Sequence, residues 1–248
     1  MKTREARELG ARLAPLVRSG QIHKAYTLLA PALRAHTKFD LLRLIAEPIG
    51  AEPLEPVNAF LARIAADKTE GGWVVIGKAL EGQLTRDMPW AFARCRDYIA
   101  TADVWYAADI LGEGLAGEAL VAHFEPALPM LLPWREDANR WVRRAVGVGT
   151  HFWAKRSEGA PERAPQAQKL LNLLEPLFEE REMDAVKGIG WGLKTLGRNY
   201  PDLATDWLVE QVVRRERPHR ALMLRKAMSG LSDAQRTRIV GSQVSSAP

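Results

Sequence analysis

Trp105 and Asp109 stand four residues apart in the segment Asp103–Leu120 (DVWYAADILGEGLAGEAL), so on a helix they project side by side. A similar spacing recurs downstream. Arg140, Arg144, Gly147, His151 and Lys155 share one face of Asn139–Lys155, and Lys187, Trp191, Lys194 and Arg198 share one face of Asp184–Arg198. Each helix also has a separate apolar stripe at helical period. These are Val104, Ala108, Leu111 and Leu115; then Trp141, Ala145, Val148 and Phe152; then Val186, Ile189, Leu193 and Leu196. Three consecutive helices thus put cations and indoles where a simple amphipathic helix has only solvated charge. Cations neutralise phosphates and aromatic faces pack on sugars or bases, the combination used by nucleic-acid grooves. Gly147 leaves a gap in its stripe where a backbone can come close. Asp109 is the odd member, because a carboxylate repels a phosphate backbone. It is either salt-bridged to Arg143 or Arg144, or placed to stabilise positive charge that develops during a reaction. The alternative for the indoles is that they cover seams between helices, with lysine stems laid over them. The repetition of the pattern on three helices argues against that for all of them together.

The whole sequence reads as helix. Ala, Leu, Arg and Glu dominate and alternating β-branched runs are scarce. Segments such as Glu5–Leu16 and Ile22–Leu33 show apolar residues three and four apart, and most prolines and glycines fall between such segments. Asp103 is expected to cap the helix bearing Trp105, and Arg156–Gln166 (RSEGAPERAPQ) to form a long loop. Helices bearing Trp73, Trp105, Trp141 and Trp191 recur at intervals of 32, 36 and 50 residues, near the ~40–47 residues of a HEAT-type repeat. The expected fold is therefore all-α, a superhelical solenoid of HEAT-like (ARM-type) helical repeats with a concave face suited to an extended partner. No linker separates two domains, so residues 1–240 are expected to form one repeat domain and the polar tail 241–248 to fray.

Composition narrows the function classes. No apolar run approaches the roughly 20 residues of a membrane span, and the charged start Met1-Lys2-Thr3-Arg4-Glu5 lacks the apolar stretch of a secretory signal. A single cysteine, Cys95, forms no internal disulfide, which points to a reducing cytoplasm. The net charge of +5 permits a polyanionic partner without demanding one. Gly112-Glu-Gly114-Leu-Ala-Gly117 matches GxGxxG by letter, but the preceding residues read as helix, whereas a dinucleotide site needs a strand there. His23, His36, His123, His151 and His219 show no metal-ligand spacing. Neither a metal nor a cofactor is expected. Cys95 reads as a small buried residue rather than a nucleophile. His151, on the Arg144 stripe, reads as a phosphate contact before a catalyst, and the run Arg214, Arg215, Arg217, Arg220, Arg225 and Lys226 as a solvated face.

At Trp105-Tyr-Ala-Ala-Asp109, Trp141-Val-Arg-Arg144-Ala and Lys187-Gly-Ile-Gly-Trp191-Gly-Leu-Lys194, followed by Asn199-Tyr-Pro201, the chain resembles the DNA alkylation repair family, the AlkD-like HEAT-repeat DNA glycosylases. The resemblance covers roughly residues 70–210, with extra residues at Arg156–Gln166. It implies a helical body clasping double-stranded DNA and excising N3- and N7-alkylated purines. Carried over by position, Asp109 resembles the catalytic carboxylate, Arg144 the phosphate-binding arginine, and Trp105 and Trp191 the aromatic walls. Arg140, Arg143, His151, Lys155, Lys187, Lys194 and Arg198 join Arg144 as expected DNA contacts. A solenoid with polar ends is usually a monomer, so a cytoplasmic monomer without metal or membrane attachment is expected.

The implied chemistry suits these residues. A cationic purine is already a good leaving group, so no protonation is needed. Breaking its N-glycosidic bond builds positive charge on the sugar, as in other glycosyl transfers. A fixed carboxylate stabilises that charge and orients water, and indole faces attract the same cation. Many glycosylases rotate the base into a pocket; the family resembled is held to work by gripping the backbone around the lesion. Two other readings share the scaffold: a non-catalytic binder of distorted or branched DNA, and a protein-interaction scaffold indifferent to DNA.

Overall fold

A computed structural model describes residues 1–214 and 219–245, and every regular element among them is helical. By internal contacts the chain divides into two compact units, residues 1–115 and residues 116 onward. No linker marks the division, which falls within one helical stretch.

The first unit holds α1 (Thr3–Arg18), α2 (Ile22–Arg34), α3 (Phe39–Gly50), α4 (Leu54–Ala65), α5 (Glu70–Glu81), α6 (Met88–Ala102) and α7 (Trp105–Leu111). Alternate helices pack together: α1 on α3, α3 on α5, α5 on α7, with α2 on α4 in a second row. This neighbour-to-neighbour order is that of a helical-repeat protein. Leu13, Leu29, Ile45, Phe60, Ile64, Trp73 and Ile76 are among the fully or nearly fully buried side chains of this unit. Removing such a side chain to alanine costs about 2–5 kcal/mol.

The second unit holds α8 (Glu118–Ala122), α9 (Phe124–Met130), α10 (Leu132–Arg135), α11 (Arg140–Ser157), α12 (Ala164–Leu174), α13 (Met183–Asn199), α14 (Pro201–Val213), α15 (Ala221–Met228) and α16 (Asp233–Ser245). Here α11, α13 and α15 form one row, and α12, α14 and α16 the other. The expected all-α fold of HEAT-like repeats is the one this chain adopts.

The tightest seam is α11 on α13, and the gap at Gly147 has its occupant there. A Cβ on Gly147 would lie 2.4 Å from the Cα of Ile189 and 2.5 Å from the carbonyl oxygen of Gly188. The backbone that approaches Gly147 is that of α13. A side chain at this position would have to push a helix backbone away, a cost of about 1–3 kcal/mol or more.

Several local expectations change. Asp103 does not open α7 as its side-chain cap; it closes α6 in the left-handed conformation (φ 49°, ψ 42°), and Val104 takes the N-cap position. Asp is one of the few residues that adopt this conformation readily, and here it sharpens the turn that delivers Trp105. The segment after Asp109 is not a plain α-helix, because Gly112–Gly117 forms a π-helical turn, a geometry that recurs beside functional sites. That turn disposes of the GxGxxG match: no strand precedes it. Phe152 is half-buried rather than fully in the core, with the Arg156 guanidinium 5.0 Å over its ring. The loop expected at Arg156–Gln166 is shorter, since α11 runs to Ser157 and α12 begins at Ala164. Pro31 and Pro48 lie inside α2 and α3 rather than between helices. Residues 241–245, expected to fray, complete α16, where the Ser242 hydroxyl donates to the Arg238 carbonyl at 2.9 Å. Residues 246–248 lie outside the described residues.

Candidate functional site

In the first unit, α7 turns Ala107, Ala108 and Leu111 inward. The indole of Trp105 is left 56% exposed, so more than half of its surface is open to a partner. It meets Tyr106 edge-on, with ring centroids 5.8 Å apart and planes at 86°. One turn later Asp109 is half-buried, so the expected side-by-side pairing of indole and carboxylate follows from the α-helical geometry of Trp105–Leu111.

In the second unit, α11 and α13 bring together most of the expected DNA contacts. The stem of Arg144 crosses α13 at Gly188, where a Cβ would lie 2.5 Å from Arg144 Cγ. Its Nη1 donates to the Asp184 carbonyl at 2.8 Å, which fixes one edge of the guanidinium. Arg144 is therefore buried, at 8% exposure, rather than extended into solvent. Asp184 also gathers Lys187 (3.5 Å) and Arg140 (3.7 Å) with its carboxylate. Lys155, Lys187 and Arg198 are exposed and Lys194 is half-buried.

His151 and Trp191 form the centre of this face. Their ring centroids lie 3.7 Å apart with planes at 21°, and His151 Nδ1 is 2.7 Å from Thr195 Oγ1. The Thr195 hydroxyl donates its own proton to the Trp191 carbonyl at 3.0 Å, so its oxygen accepts from Nδ1–H. That assignment leaves Nε2 as an acceptor. Burial, reinforced by Lys155 and Arg198, lowers the His151 pKa to about 4. His151 is thus a neutral stacking partner at physiological pH, half-buried on the face that carries the other expected DNA contacts.

Arg143 sits elsewhere. Its guanidinium binds Glu180, and its Nη1 also donates to the carbonyls of Asp137 (2.6 Å) and Ala138 (3.0 Å). It ties the start of α11 to Glu180, in the segment just before α13. Of the basic run near the C-terminus, Arg214 pairs with Glu175, Arg220 and Arg225 are exposed, and Arg215 and Arg217 lie outside the described residues. Lys226 is half-buried and turned toward α13. Sequence reasoning missed it, because a lysine in a basic run looks like any other solvated charge.

Cys95 is fully buried, and burial pushes its thiol pKa far up, so it carries no thiolate at neutral pH. Among the described residues no cluster of three His, Cys, Asp or Glu side chains could hold a metal ion. No helix among them is long and apolar enough to cross a membrane.

An all-helical repeat fold carrying a basic, indole-bearing face defines a helical-repeat protein built around a polyanion-compatible surface. Residues 67–231, more than half of the chain, match the family described as DNA alkylation repair enzyme, and the chain belongs to that family. Among solved structures it is similar to Pseudomonas fluorescens alkylpurine DNA glycosylase AlkC bound to DNA containing an abasic site analog. The TM-score is 0.60 and the identity 16%, over 90% of this chain and 62% of that one. The chain thus spans less than two thirds of that protein's length. No curated protein matches the chain.

Proposed function

We propose that this protein is a DNA glycosylase that excises N3- and N7-alkylated, cationic purines from double-stranded DNA. Family membership over residues 67–231 supports the reading, as does the fold shared with a glycosylase caught on an abasic product analog. The observation that carries it is the pairing on α7 of a majority-exposed indole with a half-buried carboxylate one turn away. A Trp face and a carboxylate together attract a cation.

In this reading Asp109 supplies the negative charge that stabilises the sugar as it becomes oxocarbenium-like, and orients the water that attacks its anomeric carbon. The glycosidic electron pair leaves with the purine, which becomes neutral, so no general acid is needed. Trp105 presents its π-face to that cation; Trp191 lies in the second unit, and its part as an aromatic wall rests on the resemblance. Arg144, anchored by the Asp184 carbonyl, holds a flanking phosphate, with Arg140, Lys155, Lys187, Lys194 and Arg198 neutralising others. The protein acts as a cytoplasmic monomer, without metal or cofactor.

The test is release of free base from methylated duplex DNA by the full chain, followed by chromatography. The wild type releases N3-methyladenine or N7-methylguanine. Asp109→Asn, which keeps the shape and removes the charge, is expected to lose on the order of 10²–10³-fold in rate. A folded wild type that binds DNA yet frees no base leaves the non-catalytic binder as the correct reading.

A further inference from the structure

Lys226 belongs to α15, yet its side chain lies across α13. A Cβ built on Gly190 would fall 2.8 Å from Lys226 Cβ and 2.9 Å from its Cδ. Contacts that short leave no room for any side chain at position 190. The missing side chain makes a channel across α13 through which the aliphatic stem of Lys226 passes, half-buried. Gly190 stands one residue before Trp191 and four before Lys194, so the channel opens onto the basic face already described.

The charge at the end of that stem has mainly cationic company. Burial lowers the Lys226 pKa first, and Lys194, Arg144, Lys187 and Arg225 lower it further. Of these neighbours Lys187 pairs with the Asp184 carboxylate at 3.5 Å, and the groups acting on Lys226 itself are cations. Crowding ammonium and guanidinium groups in this way is unfavourable in the isolated protein. A stem that merely needed to cover apolar surface would end in open solvent. This one is guided into the field of four other cations, a repulsion that an arriving anion relieves.

We propose that Lys226 is a DNA-phosphate contact, delivered to the Arg144–Lys187–Lys194 face by the channel at Gly190. The proposal rests on the glycosylase reading for its duplex DNA partner, and it adds a residue and the packing device that places it. Lys226 needs no contact with the reacting sugar; its role is to bind and position the backbone.

The experiment is the salt dependence of binding to a short duplex, followed by fluorescence anisotropy with the full chain. Lys226→Gln is expected to weaken binding at low salt several-fold and reduce the slope of log K against log[salt] by about one. Gly190→Val, which blocks the channel, should produce the same loss, and the double variant should be no worse than either single one. Lys169→Gln removes a surface lysine paired with Glu125 and should leave the slope unchanged. If Gly190→Val fails to fold, Lys226→Gln alone still decides the phosphate role. A wild type that binds DNA while Lys226→Gln keeps the wild-type slope overturns this proposal and leaves the glycosylase reading standing. A slope lowered by Lys226→Gln but not by a folded Gly190→Val overturns the channel. A wild type with no affinity for duplex DNA overturns both readings.

Discussion

The imidazole of His151 lies flat against the indole of Trp191, their centroids 3.7 Å apart, while its Nδ1 is held by Thr195. The stack joins α11 to α13 and fixes the plane of Trp191. Protonation would put a buried charge beside Lys155 and Arg198, which is why burial and these two cations hold the pKa at about 4. The unfolded chain binds that proton near pH 6.5, the folded one only near 4. Stability is therefore unaffected by this group above about pH 6.5, and declines as the pH falls from there toward 4.

The first prediction follows. Acidification across that window should destabilise the protein through His151 by on the order of 1 kcal/mol, less than full burial would give because the ring is half-exposed. His151→Phe keeps a stacking ring and removes the titration, so its melting temperature should vary less between pH 6.5 and 4. Equal pH profiles for the two proteins would refute the neutral, stacked imidazole.

The second prediction concerns the pair that holds the start of α11 to the segment just before α13. Burial alone would raise the Glu180 pKa, but the Arg143 guanidinium and the amides of Glu182 and Arg181 outweigh it and pull it below the ordinary carboxylate range. The side chains are only 16% and 7% exposed for Arg143 and Glu180. Glu180→Gln leaves a buried guanidinium without its counter-charge and should cost about 3 kcal/mol. The sign with pH is the usual one for a depressed acid: the contribution is complete above the unfolded carboxylate value and disappears as the pH drops through the folded one. Denaturant unfolding at pH 7 and pH 3.5 checks both statements, since the loss caused by Glu180→Gln should shrink at the lower pH.

Sequence periodicity was enough to locate the α11 and α13 helices and most of their buried faces. Val186, Ile189, Leu193 and Leu196 all prove to be core, because an apolar residue every third or fourth position has only one way to be buried on a helix. The same arithmetic could not separate Arg143 from Arg144. Neighbouring arginines point 100° apart, and which of them meets Glu180, 37 residues from Arg143, is settled by tertiary packing. Nor could it distinguish Lys226 from Arg225, since the channel that singles out Lys226 is made by a glycine on another helix. The neutral state of His151 was equally hidden, being a product of tertiary burial. Gly147 was legible as a close approach but not as an approach by α13. What local spacing carries is which side chains share a stripe; what it omits is the partner each stripe meets.

The last prediction separates function from stability at Trp105. An indole 56% exposed contributes little to the core, so Trp105→Ala should shift stability by no more than about 0.5 kcal/mol, the range of ordinary surface substitutions. Its proposed work is done on a cationic sugar, where an aromatic face is worth about 0.5–2 kcal/mol. Excision of alkylated purine should then slow by roughly 2- to 30-fold, with the melting temperature essentially unchanged. Trp105→Phe, which keeps a weaker π-face, should fall between the two. A large drop in melting temperature would mean that the indole is a packing element after all. Unchanged excision by a stable Trp105→Ala would remove it from the site and leave Asp109 without its aromatic partner.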